Sequence, residues 1–202
     1  MIDWPVTLIE GDIRLRPLRN RDARAWRSVR ARNSNWLTPW DATLPSEASS
    51  EGEAPPTFGS MVRRMNREAR AGRMLPWALD VDGVFRGQVT VGGIAMGSLR
   101  GGYIGYWIDE EVAGRGVMTT AVAMACDYLL GECGLHRIEI NIRPDNGASR
   151  RVAEKLGMRN EGIRADYLHI NGQWCDHVSY VLLAGDQPGG VLRRLRSEQL
   201  SQ

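Results

Sequence analysis

Gly114 and Gly116 flank Arg115, between an apolar run ending at Trp107-Ile108 and a helical pattern beginning at Val117. Glycines at such a junction let the backbone turn tightly and come close to a ligand with no Cβ in the way. The free N–H groups that open the following helix, together with its dipole, then favour an anion. The chemistry expected here is a phosphate cradle. Two common kinds of cradle are excluded by what surrounds it. A Walker A loop needs Lys followed by Ser or Thr after the second glycine, where this chain has Val117-Met118. A dinucleotide fingerprint needs three spaced glycines near the start of a βαβ unit, and that spacing is missing too. Cys126, Cys133 and Cys175 have no CxxC spacing and no obvious positive neighbour to lower a thiol pKa. His136, His169 and His177 are scattered without metal-ligand spacing, so no metal site is expected.

The elements that must position the cradle follow from periodicity. Ile9 to Pro17 alternates apolar and polar residues and reads as a first strand. Asn20 reads as an N-cap, with Ala23, Trp26 and Val29 on one face of a helix, and the segment Trp36-Leu37-Thr38-Pro39-Trp40 follows. The Ser, Glu, Gly and Pro content of residues 44–59 predicts a mobile loop. A basic helix is expected from Met61 to Arg73. Trp77 to Val81 and Val84 to Met96 then form a hairpin joined at Asp82-Gly83, and Tyr103 to Ile108 is a further strand. The helix after the glycine turn presents Val117, Ala121 and Tyr128 on one face and ends near Gly131 and Gly134. Ile138, Ile140 and Ile142 alternate with Glu139, Asn141 and Arg143 in a strand that Pro144-Asp145-Asn146 stops. Asn146 caps a helix that turns Ala148, Val152, Ala153 and Leu156 inward and closes at Gly157. Two last strands, Gly162 to Ile170 and Trp174 to Leu183, meet at Asn171-Gly172. The order β-α-α-β-β-β-α-β-α-β-β describes a mixed sheet with helices against it. One domain is expected over residues 1–184, with a polar, basic, loosely held tail over 185–202.

Strand, Ala113-Gly114-Arg115-Gly116, long helix, strand, and then the run from Arg143-Pro144-Asp145-Asn146-Gly147-Ala148-Ser149 to Leu156-Gly157-Met158 resembles the GNAT acyltransferase superfamily. Within it the chain is similar to the Rim-type N-terminal acetyltransferases that modify ribosomal proteins. The ending from Tyr167-Leu168-His169-Ile170-Asn171-Gly172 to Asp176-His177-Val178-Ser179-Tyr180 is similar to the RimJ/RimL branch. The match runs from Trp77 to Leu183, and Ile9 to Trp40 also fits. This resemblance implies an α+β GNAT fold, with a mixed, mostly antiparallel central sheet of about seven strands flanked by helices. It implies acetyl-CoA as acetyl donor, held by Trp107, Ile108, Gly114, Arg115, Gly116, Val117, Met118, Thr119, Asn146 and Ser149. Glu111 departs from the pattern, because the superfamily usually has Gln or Arg there.

The resemblance further implies transfer of the acetyl group to a protein N-terminal α-amine, a ribosomal protein by analogy, through direct attack in a ternary complex. Amides of the strand ending at Ile108 would stabilise the oxyanion. Ser149 would hydrogen-bond or protonate the departing thiolate, which needs modest help because a free thiol has a pKa of about 8.5. Asn146 would touch the cofactor as well as cap its helix. An α-amine with a pKa of about 7.7–8.0 is partly neutral already. The general base is open among Glu139, His169 and Asp176, acting directly or through water. Trp36, Trp40, Tyr106 and Tyr167 are the expected acceptor-side residues. Alternatives are a small-amine acetyltransferase (a polyamine or an aminoglycoside) and a CoA-binding sensor or assembly factor without turnover. The latter would dock through Arg63, Arg64, Arg67, Arg70, Arg73 and the tail arginines Arg193, Arg194 and Arg196.

Composition sets the outer limits. The 202 residues suit one domain, and 26 basic residues balanced by 24 acidic ones argue against a DNA-coating protein. No apolar run approaches the ~20 residues of a membrane span, and Met1-Ile2-Asp3-Trp4-Pro5 does not read as a secretory signal. An odd number of unpaired cysteines suits a reducing compartment, so a cytoplasmic monomer or homodimer is expected.

Overall fold

In the computed structural model, which describes residues 2–45 and 56–200, the run expected as one first strand is a tight hairpin of β1 (Leu8–Glu10) and β2 (Ile13–Pro17). Arg16 leaves β2 between two carboxylates, Asp22 at 2.8 Å and Asp80 at 2.7 Å, and ties the entry of the first helix to the sheet. That helix is α1 (Ala23–Arg32), and α2 (Ser34–Leu37) follows it directly.

Of the stretch expected as a mobile loop, residues 46–55 lie outside the described residues, and its end is helical. Helix α3 (Phe58–Arg70) begins three residues before the expected start, because Thr57 caps it by accepting from the Ser60 N–H at 3.2 Å. Phe58 is buried against Trp26, with ring centroids 5.4 Å apart.

Next come β3 (Leu75–Val81), β4 (Val84–Ala95) and β5 (Gly101–Ile108). Helix α4 (Val117–Leu130), β6 (Arg137–Ile142) and α5 (Gly147–Lys155) follow, then β7 (Arg159–Ile170) and β8 (Gln173–Leu183). The hairpins at Asp82-Gly83 and Asn171-Gly172 form as expected, with both residues of each pair at positive φ.

Among the described residues the sheet has eight strands rather than about seven, in the order β1-β2-β3-β4-β5-β6-β8-β7. Every pairing is antiparallel except β5 with β6. Helices cover both faces. Leu75, Trp77 and Leu79 of β3 face one cluster with α4 and α5, while Ala78 faces a smaller one with Val29 of α1 and Phe58 and Val62 of α3. With both faces covered, β3 is buried throughout.

The stretch read as a loose tail contains α6 (Val191–Leu200). Val191 and Leu195, one turn apart, are buried in the main core. The Asp127 carboxylate on α4 accepts from the Val191 and Leu192 N–H groups at 2.7 and 3.1 Å, holding the start of α6 in place. Six of the ten residues of α6 are basic or polar, and they conceal this packing stripe in the sequence. Among the described residues, no helix is long and apolar enough to cross a membrane.

Candidate active site

The site begins where two strands part. Parallel β5 and β6 pair only at Gly101↔Arg137, Gly102↔Ile138 and Tyr103↔Glu139. Beyond that point β5 runs on to Ile108 and β6 to Ile142 unpaired with each other. A bulge in β4 between Gly92 and Ala95 lies beside the divergence, where Gly92 pairs with Tyr103. The Tyr103 ring lies over this bulge so closely that a Cβ on Gly93 would sit 2.6 Å from it. Bulges bend and twist a strand, which suits a sheet that must open. The opening is a cleft of about 820 Å³, walled by Ile104–Ile108 on one side and by Ile140–Arg143 on the other. Tyr106 crosses it, its hydroxyl donating to the Ser149 carbonyl at 3.3 Å. Burial pushes the Tyr106 phenol well above its ordinary pKa, so it stays a donor at neutral pH.

At one end of the cleft lies the glycine turn. Gly114 and Gly116 take φ of +77° and +80°, and a Cβ on either would meet no atom within 4 Å. Gly116 is the N-cap of α4, whose ladder opens with Thr120 N–H donating to the Gly116 carbonyl at 2.9 Å. The helix-opening amides before Thr120 have no intrahelical acceptor, by the geometry of a helix start. This is an open cradle of amides at the positive end of a long helix, the environment a pyrophosphate requires. Gly114, Gly116, Met118 and Thr119 line the cleft, as do Trp107, Ile108, Asn146 and Ser149. Arg115 is exposed and Val117 is packed in the core, so neither side chain is among the residues lining the cleft. Glu111, in place of the usual anchor, forms an ion pair with Arg86 at 2.6 Å. Arg86 also binds the buried Asp109, and Arg32, Asn33 and Arg86 hold that carboxyl below its ordinary range although burial alone would raise it. This knot fixes the end of β5 and the entry to the turn against α1.

Asn146 caps α5, its Oδ1 accepting from the Ser149 N–H at 3.0 Å. The Ser149 hydroxyl has no hydrogen-bond partner among the described protein groups and stands on the cleft wall. Trp36 and Trp40 also line the cleft. The Trp36 indole donates to the Ile108 carbonyl at 3.2 Å, and the Arg143 guanidinium lies 5.3 Å over the Trp40 ring.

The expected bases are not brought to the cleft wall. Glu139 lies where β5 and β6 still pair and is held by Arg137 at 2.8 Å and Arg164 at 2.7 Å. Burial would raise its pKa, but these two arginines keep it below the ordinary range, a fixed anion in an ion-pair network. His169 bonds Thr43 through Nδ1 at 2.8 Å, and Asp176 accepts from the Asp166 N–H at 2.9 Å. Tyr167 is not on the wall either. It stands behind it, its ring 5.6 Å from that of His177 and its hydroxyl 3.5 Å from the Asn141 amide. His177, Asn141, Gln88 and Arg143 line the cleft and were missed as site residues. Strand alternation showed only that Asn141 and Arg143 avoid the isoleucine face. Nothing local distinguished His177 from the other histidines.

Comparison with known proteins gives this geometry a family. Residues 12–159 match the family described as acetyltransferase (GNAT) domain. The chain belongs to the GNAT acetyltransferase family. This GNAT enzyme is similar to the probable N-acetyltransferase YjcK of Bacillus subtilis (strain 168), 42% identical over 100 residues that span 50% of this chain and 55% of that protein. It is also similar to the [ribosomal protein uS5]-alanine N-acetyltransferase of Escherichia coli (strain K12), 29% identical over 92% of this chain and 94% of that protein. Among solved structures, Mycobacterium smegmatis RimJ in complex with CoA-disulfide superimposes with a TM-score of 0.89 at 36% identity, covering 97% of this chain and 96% of that one. The GNAT chain is an acetyl-CoA-dependent N-acetyltransferase, and its open glycine cradle and apolar cleft fit that donor.

Proposed function

We propose that this GNAT enzyme transfers the acetyl group of acetyl-CoA to the α-amine of a protein N-terminus, a ribosomal protein being the favoured acceptor, by direct attack in a ternary complex. The observation that carries the reading is the single cleft between the parted strands. The glycine cradle and the tryptophan pair Trp36 and Trp40 open onto the same space, so donor and acceptor can meet without a covalent enzyme intermediate. The resemblance to RimJ and to the uS5-alanine enzyme supports the choice of acceptor.

The roles follow from the wall. The helix-opening amides from Gly116 to Thr119 hold the pyrophosphate, with Arg151 and Lys155 as the cleft's nearby cations on α5. Backbone N–H groups of the unpaired end of β5 stabilise charge on the thioester oxygen as the amine attacks. The carbon–nitrogen bond forms and the carbon–sulfur bond breaks. The Ser149 hydroxyl, with no partner among the described protein groups to compete, donates to the departing sulfur. Asn146 keeps the first turn of α5, and with it Ser149, in place. A polycationic small amine suits this cleft less. Among the described residues its carboxylates are Asp41 and Glu110, and Asp41 is already paired with Arg30, whereas Arg143, Arg151 and Lys155 add positive charge. Three free, buried cysteines support a reducing compartment, in keeping with cytoplasmic work on ribosomal proteins.

The test is mass spectrometry of reactions with acetyl-CoA and three acceptor sets: N-terminal peptides of ribosomal proteins, internal-lysine peptides and polyamines. Acetylation confined to the N-terminal peptides is expected. Product on polyamines alone refutes the acceptor assignment, and no product on any set refutes turnover.

A further inference from the structure

The reaction must dispose of a proton. When an amine attacks a thioester, its nitrogen becomes positively charged and sheds a proton, and Glu139, His169 and Asp176 do not line the cleft. His177 does. It sits on β8 just past the end of β6, where Ile142 pairs with Val178, so the opening of the sheet leaves it on the cleft wall. The side chain is buried to 3% exposure. Its Nδ1 lies 2.9 Å from the Cys175 carbonyl oxygen. A carbonyl can only accept, so Nδ1 carries the ring proton and Nε2 carries the lone pair. Nε2 has no hydrogen-bond donor among the described protein groups.

We propose that His177 is the proton acceptor of the reaction, taking through Nε2 the hydrogen that the attacking amine loses, directly or across one bound water. The inference rests on the reading above, that an amine attacks acetyl-CoA in this cleft. In the step, the amine lone pair forms the carbon–nitrogen bond and its N–H proton moves to Nε2. The thioester electron pair leaves with sulfur, to which Ser149 donates. The imidazolium then returns its proton to solvent.

The surroundings suit a neutral base. Burial lowers the His177 pKa below the ordinary histidine value, and Arg143 acts in the same direction. The Cys175 carbonyl, Asp176 and Asp145 act against them. From β7, Arg164 is the register partner of His177, but its guanidinium is engaged with Glu139 and lies over the Tyr167 ring. The Tyr167 and His177 rings meet in a T-shaped contact, 5.6 Å between centroids, which restrains the imidazole. Next to it, the Ser179 hydroxyl donates to Asn141 at 2.5 Å, a polar pair able to hold a water between amine and imidazole.

The experiment compares wild type with His177→Gln and His177→Ala, using acetyl-CoA and an N-terminal peptide. Glutamine can occupy the site and make hydrogen bonds but cannot act as a base. For His177→Gln, kcat is expected to fall by about a hundredfold or more, with the acetyl-CoA-induced thermal shift unchanged. In wild type, the slope of log kcat/KM against pH should steepen from one toward two as acid protonates first the amine and then His177. In His177→Gln it should stay at one. Imidazole should raise the rate of His177→Ala in proportion to its concentration. A His177→Gln enzyme with wild-type kcat and the wild-type pH profile overturns the assignment, as does His177→Ala that imidazole leaves unchanged. A wild-type enzyme that acetylates no amine overturns the functional reading and this inference with it. An active wild type beside an unaffected His177→Gln overturns the inference alone.

Discussion

Gly116→Ala separates backbone strain from ligand loss. Gly116 sits at φ +80° with open space where a Cβ would stand, so the free protein meets only the cost of a left-handed alanine. That cost is about 1–2 kcal/mol. With an unfolding entropy near ~2.1 cal/mol/K per residue, a chain this long loses about 2–5 °C of Tm. On the proposed reading this space belongs to the phosphate cradle, and there the added methyl would meet the pyrophosphate. Wild type at ~100 times its dissociation constant for CoA gains about 2.7 kcal/mol, near 6 °C on the same scale. A tenfold weaker site loses about 1.4 kcal/mol of that, so the CoA-induced shift in Gly116→Ala should be halved or less. Gly172→Ala is the matched control, because Gly172 has φ +86°, open space and a place in a hairpin outside the glycine turn, and it does not itself line the cleft. It should lose similar Tm and keep the full CoA shift. The assay is differential scanning fluorimetry of all three proteins across a CoA titration. If Gly116→Ala drops in Tm like the control yet keeps the full shift, the glycine turn is not where the phosphates bind.

Other expectations follow from the same geometry. Ser149→Ala should lower kcat about ten- to a hundredfold with the acetyl-CoA dissociation constant kept within twofold, checked by steady-state kinetics and calorimetry; an unchanged kcat removes Ser149 from the mechanism. Arg16→Ala strands the buried carboxylates of Asp22 and Asp80 and should cost about 3–5 kcal/mol, read by urea unfolding; a loss under ~1 kcal/mol would mean that water takes the place of the guanidinium. Asp109 has a folded pKa below its unfolded value near ~3.9, so its stabilisation is complete above that value and is lost as pH falls through the folded pKa. The acid-unfolding curve of Asp109→Asn should therefore be flatter in that window, and a curve parallel to wild type would refute the coupling. Trp36→Phe removes the indole donor to the Ile108 carbonyl and should raise the peptide KM more than it lowers kcat; an unchanged KM takes Trp36 out of acceptor binding.

What could be read in the chain was whatever neighbouring residues impose on one another. The glycine turn, the Asn146 cap, the Gly157 stop and the two hairpin dipeptides depend on backbone allowed regions and on hydrogen bonds spanning a few residues, so short stretches specified them. The proposed donor side of the site is made of such parts, so the turn that opens α4 from Gly116 to Thr119 is legible in a short stretch of sequence. Tertiary structure decided what sheet order brings together. The parting of β5 from β6 depends on where a parallel pairing stops, and no residue type encodes that point. Glu139 looked free because alternation showed only that it left the isoleucine face; the arginines that bind it come from its own strand and from β7. His177 looked unremarkable because its value arises from a carbonyl two residues away, a wall formed by β6 and burial under a distant tyrosine. The loose tail became α6 for the same reason: Val191 and Leu195 are a weak signal until α4 supplies a surface and Asp127 a cap. Local torsional preference fixed the glycine turn, and long-range pairing fixed the cleft onto which it opens.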